Sequence, residues 1–129
     1  MARGGRMVTW AILVCASLTA VDGDTVKCDG ERLRPMGDGA PFVSGFDTPE
    51  IGRRAKCPAE NRLGFLAAAR MVELLQVPGL RVESSGRKDR FGRPLVVLRL
   101  PDGSTIGRHL IDEGLARVWT PDYRADWCD

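Results

Sequence analysis

Hydrophobic residues in this chain form a block, then alternate with polar ones, then recur at helical spacing, then form a second block. The first block runs from Val8 to Val14 and continues through Cys15-Ala16-Ser17-Leu18-Thr19-Ala20. It can serve as a first core strand or as a leader. Residues 18–28 predict two strands about a turn at Asp22-Gly23-Asp24, and Asp29-Gly30 signals the next turn. Glu31-Arg32-Leu33-Arg34 alternates polar and apolar side chains, as a half-buried strand does. Residues 35–45 hold three Gly and two Pro and predict a loop.

The period then changes. Leu63, Leu66, Ala67, Met71, Leu74 and Leu75 predict one apolar face of a helix. Pro58 suits its first turn, Glu60 sets an acid near the positive end of the dipole, and Val77-Pro78-Gly79 stops it. Leu95–Leu100 is a dense apolar strand, and Pro101-Asp102-Gly103-Ser104 reads as a hairpin turn. Ile106, Leu110 and Ile111 mark a short second helix closed by Gly114, before a last extended piece at Leu115–Trp119. The expected class is α+β: one small domain with a curled sheet.

Composition narrows the function. At 129 residues, 43% apolar and 28% charged, the chain is long enough for one packed core and too short for a two-domain enzyme. Its 19 bases against 17 acids give a net charge of +2, which excludes a strongly cationic nucleic-acid coat protein. Arg3 and Arg6 account for that excess, so residues 21–129 are neutral. The bases are 16 Arg against 3 Lys, and the planar guanidinium fork suits phosphate and carboxylate.

Arg3 and Arg6 ahead of the first apolar block have the form of a signal peptide. The block is too short to span a membrane stably. A cut after Ala16 divides the chain into a leader, 1–16, and a domain, 17–129. Export predicts a periplasmic or secreted monomer with no membrane integration after leader removal, the cytoplasm being the alternative. The cut leaves Cys28, Cys57 and Cys128, hence one disulfide and one buried thiol, with Cys57–Cys128 the preferred bridge. No cysteine pair has zinc-knuckle or redox spacing. His109, the sole histidine, reads as structural or exposed.

Three short motifs carry the chemistry: Val21-Asp22-Gly23-Asp24-Thr25, Phe46-Asp47-Thr48-Pro49-Glu50 and Asp89-Arg90-Phe91-Gly92-Arg93. Each alone is an ordinary turn or cap. In this order, with the helix near Cys57, Arg93-Pro94-Leu95 entering a strand and Glu113-Gly114-Leu115-Ala116-Arg117-Val118, they resemble the staphylococcal nuclease (thermonuclease-like) family over about residues 17–119. The resemblance implies a five-stranded OB-fold barrel with two to three packed helices. It implies a calcium-dependent phosphodiesterase acting on DNA and perhaps RNA, with low sequence specificity, attack by water and products bearing a 3′-phosphate. Single-stranded or frayed substrate suits a small barrel with one aromatic contact.

The resemblance also assigns roles. Asp24, Asp47 and the Thr48 carbonyl would ligate Ca²⁺, a hard cation that takes oxygen donors, with Asp22 in the outer shell. Glu50 would position or deprotonate the attacking water, and Arg93 would stabilise charge on the phosphorus oxygens. Arg90 and Phe91 would contact phosphate and base. A second family arginine lies five residues before the second-motif Asp, where this chain has Phe42. An alternative alignment through Gly30-Glu31-Arg32-Leu33-Arg34-Pro35-Met36-Gly37 gives that role to Arg34, with Asp38–Gly45 inserted, and it is favoured by the flanking run. Gly107 replaces an Asn common in the family. The competing reading is an inactive OB-fold nucleic-acid-binding module. A third is an interaction domain with no nucleic-acid ligand, using Trp119 and Trp127.

Overall fold

The computed structural model describes residues 11–36, 45–120 and 122–128. Within them the strands are β1 (Ala11–Leu13), β2 (Leu18–Asp22), β3 (Thr25–Cys28), β4 (Glu31–Pro35), β5 (Gly45–Asp47), β6 (Arg81–Lys88), β7 (Pro94–Arg99) and β8 (Arg117–Trp119). The helices are α1 (Pro58–Leu75) and α2 (Ile106–Asp112), with a single 3₁₀ turn at Gly52–Arg54. The class is α+β, as expected.

Six strands form one mixed sheet in the order β1-β6-β7-β4-β3-β2, and β5 pairs with β8 apart from it. Neighbours are antiparallel except β4 and β7, which run parallel, Arg34 opposite Leu95. The expected count of five strands is therefore corrected to six plus two, and among the described residues no ladder joins the two edge strands. The extra strands include one that the apolar pattern did not mark and one inside the first apolar block. Arg81–Lys88 has only Val82 as a large apolar residue, yet it pairs along Val96–Arg99 because Val82 and Ser84 turn inward. Ala11–Leu13, inside the segment read as a leader, pairs with Val82–Ser84. Residues 1–10, with Arg3 and Arg6, lie outside the described residues, as does Phe42.

Edge strands β1 and β2 are consecutive in the chain, separated by Val14–Ser17. That link is held on β3's far end. Cys15 is disulfide-bonded to Cys28, and the Asp29 carboxylate accepts from Ala16 N (3.2 Å) and Ser17 N (2.7 Å). Cys57 is bonded to Cys128, the preferred bridge. The expected free thiol is corrected: with Cys15 retained in the fold, none of the described cysteines is free.

The core lies between the sheet and the two helices, with Val26, Leu33, Phe46, Met71, Val96, Leu98, Ile106 and Leu110 fully or almost fully buried. Helix α1 turns Glu60, Gly64, Ala67, Met71 and Leu74 inward. Leu66, expected on that face, is 57% exposed, because it sits about 100° round the helix from Ala67. The sequence Pro101–Ser104 joins a strand to a helix, not to another strand: Thr105 caps α2 by accepting from Arg108 N, and Leu100 N donates to Ser104 O. His109 is half-buried against the Ser104 hydroxyl at 3.1 Å.

Candidate active site

The site grows from two turns packed against each other. Asp22-Gly23-Asp24 joins β2 to β3, where the register shifts by a bulge, and Asp24 N donates to Asp22 Oδ1 at 3.0 Å. Gly23 is buried, and a Cβ there would come within 2.8 Å of the Thr48 side chain. Only glycine lets this turn lie on the β5 exit. Across that contact Thr48 N donates to Asp24 Oδ2 at 3.3 Å. Buried Phe46 and Pro49 fix the strand end from which Asp47, Thr48 and Glu50 project.

Glu50 is held from behind by α1. At Gly64 an added Cβ would meet Glu50 O at 2.5 Å and Pro49 O at 2.9 Å, so the loop rests directly on the helix backbone. Glu60, the acid expected near the positive end of the helix dipole, is only 3% exposed. Its two oxygens accept from Glu50 N (3.0 Å) and Lys56 N (2.9 Å), which satisfies a buried charge with orphan backbone donors. Asn61 Oδ1 accepts from Gly52 N at 2.7 Å and finishes the loop.

Arg34 reaches Asp24 directly, and Arg93 reaches it through Thr25. Arg34 leaves β4 and donates Nη1 to Asp24 O at 2.7 Å, and the same nitrogen lies 3.4 Å from Asp24 Oδ2. Its Nη2 donates to Phe46 O, and its guanidinium lies 5.6 Å from the Phe46 ring centre. Arg93 enters from the β6–β7 turn. Its Nη1 donates to Thr25 Oγ1 (3.1 Å), and that hydroxyl lies 3.4 Å from Asp24 Oδ1. Asp89 aims Arg93, accepting from its Nε at 2.8 Å and from its backbone N–H at 2.9 Å. Arg90 and Phe91 sit at the tip of the same turn. Phe91 is 69% exposed, with Arg90 4.8 Å and Arg93 5.7 Å from its ring centre, so it is a surface ring and not a core anchor.

The carboxylates feel one another. Burial, then the Asp24 charge, pushes the Asp22 carboxyl up to about 7. Asp47 is also raised, by burial first, against the hydrogen bonds it accepts from Trp127 and Tyr123. Glu50 is raised by burial and then by Asp24. Acids that raise one another's pKa without a cation between them form a patch of excess negative potential. Among the described residues no group of three or more Asp, Glu, His or Cys side chains is arranged as a metal cage.

Two further residues reach the site: Tyr123, which the sequence did not single out, and Trp127, which it offered only as an interaction residue. Tyr123 donates its hydroxyl to Asp47 Oδ2 (3.0 Å) and Trp127 donates Nε1–H to the same oxygen (3.1 Å). Nothing local marks them, since they lie 76 and 80 residues away in sequence. Their only signal was polar-tipped aromatics beside Cys128, the residue expected to anchor the tail.

No family model matches the chain. It is similar to the succinoglycan biosynthesis protein ExoI of Rhizobium meliloti (strain 1021), 30% identical over 106 residues, which cover 80% of this chain and 51% of that protein. The chain thus spans about half the length of this curated relative.

Proposed function

We propose that this chain is a calcium-dependent phosphodiester hydrolase of the staphylococcal nuclease type, cleaving DNA and perhaps RNA. The observation that supports it best is the meeting of two guanidinium groups on Asp24, Arg34 directly and Arg93 through Thr25, beside Asp47, Thr48 and Glu50. Acids and arginines gathered at one half-buried edge suit a substrate that is itself an anion and needs a cation partner. The donor set fits calcium: the Asp24 and Asp47 carboxylates and the Thr48 carbonyl are hard oxygens, and water completes such a shell. The mutually raised acids supply the unbalanced negative charge that a divalent cation would relieve.

Bound calcium would polarise a phosphate oxygen and orient water. Glu50, its pKa raised by burial and by Asp24, accepts the proton of the attacking water. Arg34 and Arg93 donate to the phosphorus oxygens as charge builds there. Asp22 stays behind Asp24 and fixes the turn. Arg90 and Phe91 extend the contact along the strand, the exposed ring stacking a base. The fold supports an OB-type barrel, because the two edges of the six-stranded sheet are joined by only Val14–Ser17.

Two disulfides belong in an oxidising compartment, which supports export to the periplasm or beyond. No helix among the described residues is long and apolar enough to cross a membrane. The similarity to a succinoglycan biosynthesis protein favours a second reading, in which the same acidic edge serves a saccharide.

The test is a variant series on the full, oxidised chain with single-stranded DNA, duplex DNA, RNA and an acidic polysaccharide. Arg34→Ala and Glu50→Gln should each cost about 10²–10³ in nuclease rate. Unchanged nucleic-acid cleavage in both variants contradicts the site. Turnover of the polysaccharide alone favours the second reading.

A further inference from the structure

The C-terminal residues 122–128 belong to no strand or helix, yet they end on the site. Tyr123 and Trp127 both donate to Asp47 Oδ2, so the carboxylate is held from one side and neither donor uses Oδ1. Trp127 is buried, and the Arg117 guanidinium covers its ring at 4.0 Å. Arg117 also donates Nη1 to Asp126 O at 2.7 Å. Arg117 is itself the β8 residue paired with Asp47. Backbone pairing, cation–ring stacking and the indole N–H therefore close a ring of contacts that begins and ends at Asp47. Cys128 locks the next residue to Cys57, the cap of α1, and α1 also supplies Glu60 to the Glu50 loop.

We infer that the C-terminal tail is a disulfide-locked clasp in which Tyr123 and Trp127 are positioning residues, aiming the Asp47 carboxylate at the cation. The inference rests on the calcium reading above. A tail that merely covered the core would need the two rings but neither the phenol hydroxyl nor the indole N–H. Partners in this outer position orient a ligand and commonly change metal affinity about 10–100-fold. The disulfide extends the dependence: without the Cys128 anchor the tail keeps its hydrogen bonds to Asp47 and Arg117 but loses its covalent tie to α1.

The experiment is calorimetric titration of calcium into the oxidised, metal-free full chain and its Tyr123→Phe, Trp127→Phe and Cys128→Ser variants, with the metal-free melting temperature recorded for each. The phenylalanine variants keep the rings and remove only the donors. If Trp127→Phe fails to fold, Tyr123→Phe carries the test alone. The expected result is calcium affinity weakened about tenfold or more by each phenylalanine change, and in the same direction by Cys128→Ser. Metal-free melting of Tyr123→Phe should stay close to that of the parent. At saturating calcium its maximal rate should recover, with only the calcium requirement raised. A parent that binds calcium, with phenylalanine variants that bind it equally or more tightly, overturns the clasp and leaves the hydrolase reading in place. A parent that takes up no calcium overturns that reading and the clasp with it.

Discussion

Asp24 is the residue on which the site turns. Its N–H is capped by Asp22, and its carboxylate receives Thr48 N–H, faces Arg34 and adds by its charge to the burial that raises Asp47 and Glu50. Asp22 behind it gives a pH signature whose sign follows from linkage. Its carboxyl is raised from 3.8 to about 7 on folding, so the folded chain holds a proton that the unfolded chain releases earlier. Without calcium, stability should therefore fall as pH rises through the window from about 4 to 7, and Asp47 and Glu50 push the same way. Glu113 and Asp112, held low by hydrogen bonds from Arg70 and Arg108, act oppositely but below that window. Thermal melts from pH 4.5 to 7.5 in chelator check this: the expected trend is a falling melting temperature, and a flat or rising one contradicts it. That Asp22, Asp24, Asp47 and Glu50 come together could be read from the sequence because each lies in a short motif. The place of Arg34 could be read only as an alignment choice, and its contact with Asp24 is what the strand pairing of β3 and β4 adds. The contacts of Tyr123 and Trp127 with Asp47 could not be read, since a hydrogen bond across such a sequence distance leaves no local pattern.

At the scale of elements, helix α1 is the platform. Gly64 lets the Glu50 loop touch its backbone, and Glu60 fastens that loop by two backbone N–H groups. Gly64→Ala should gain helix propensity yet lose more by collision, because the new methyl meets Glu50 O at 2.5 Å and two backbones cannot give way cheaply. A net destabilisation of about 1–3 kcal/mol is expected, with a larger proportional fall in nuclease rate than Ala68→Gly on the same helix causes. Denaturant melts and initial rates measure the two effects, and a stabilised, fully active variant would refute the platform. The helix itself was legible from its period, its proline and its stop signal. Its true buried row, through Gly64 and Glu60, was not, because neither residue counts as apolar. Strand β6 was hidden for a similar reason: Arg81–Lys88 is mostly polar, and it is a strand because β1 and β7 pair with it on both sides.

At the scale of the molecule, two disulfides tie the ends of the fold to its middle. Cys15–Cys28 closes a separation of 13 residues beside the β1–β2 link, and Cys57–Cys128 closes one of 71 around the tail. Loop-closure entropy assigns about 3 kcal/mol to the first and about 4 kcal/mol to the second. Melts of the paired variants Cys15→Ser with Cys28→Ser, and Cys57→Ser with Cys128→Ser, should show both destabilised, the second at least as much as the first. No loss in either would refute the bonds as stabilising links. The α+β class and the order of most elements followed from periodicity and turn residues. The six-stranded pairing did not, since the β1–β6 and β4–β7 ladders join segments far apart in sequence. The proposed function requires that the acids and arginines around Asp24 cleave phosphodiesters with calcium. The most direct measurement is release of acid-soluble nucleotides from single-stranded DNA by the pure, oxidised, folded chain at millimolar calcium, with and without chelator. The account predicts release that chelator abolishes, with 3′-phosphate on the products. No release at millimolar calcium, or release indifferent to chelator, would contradict it.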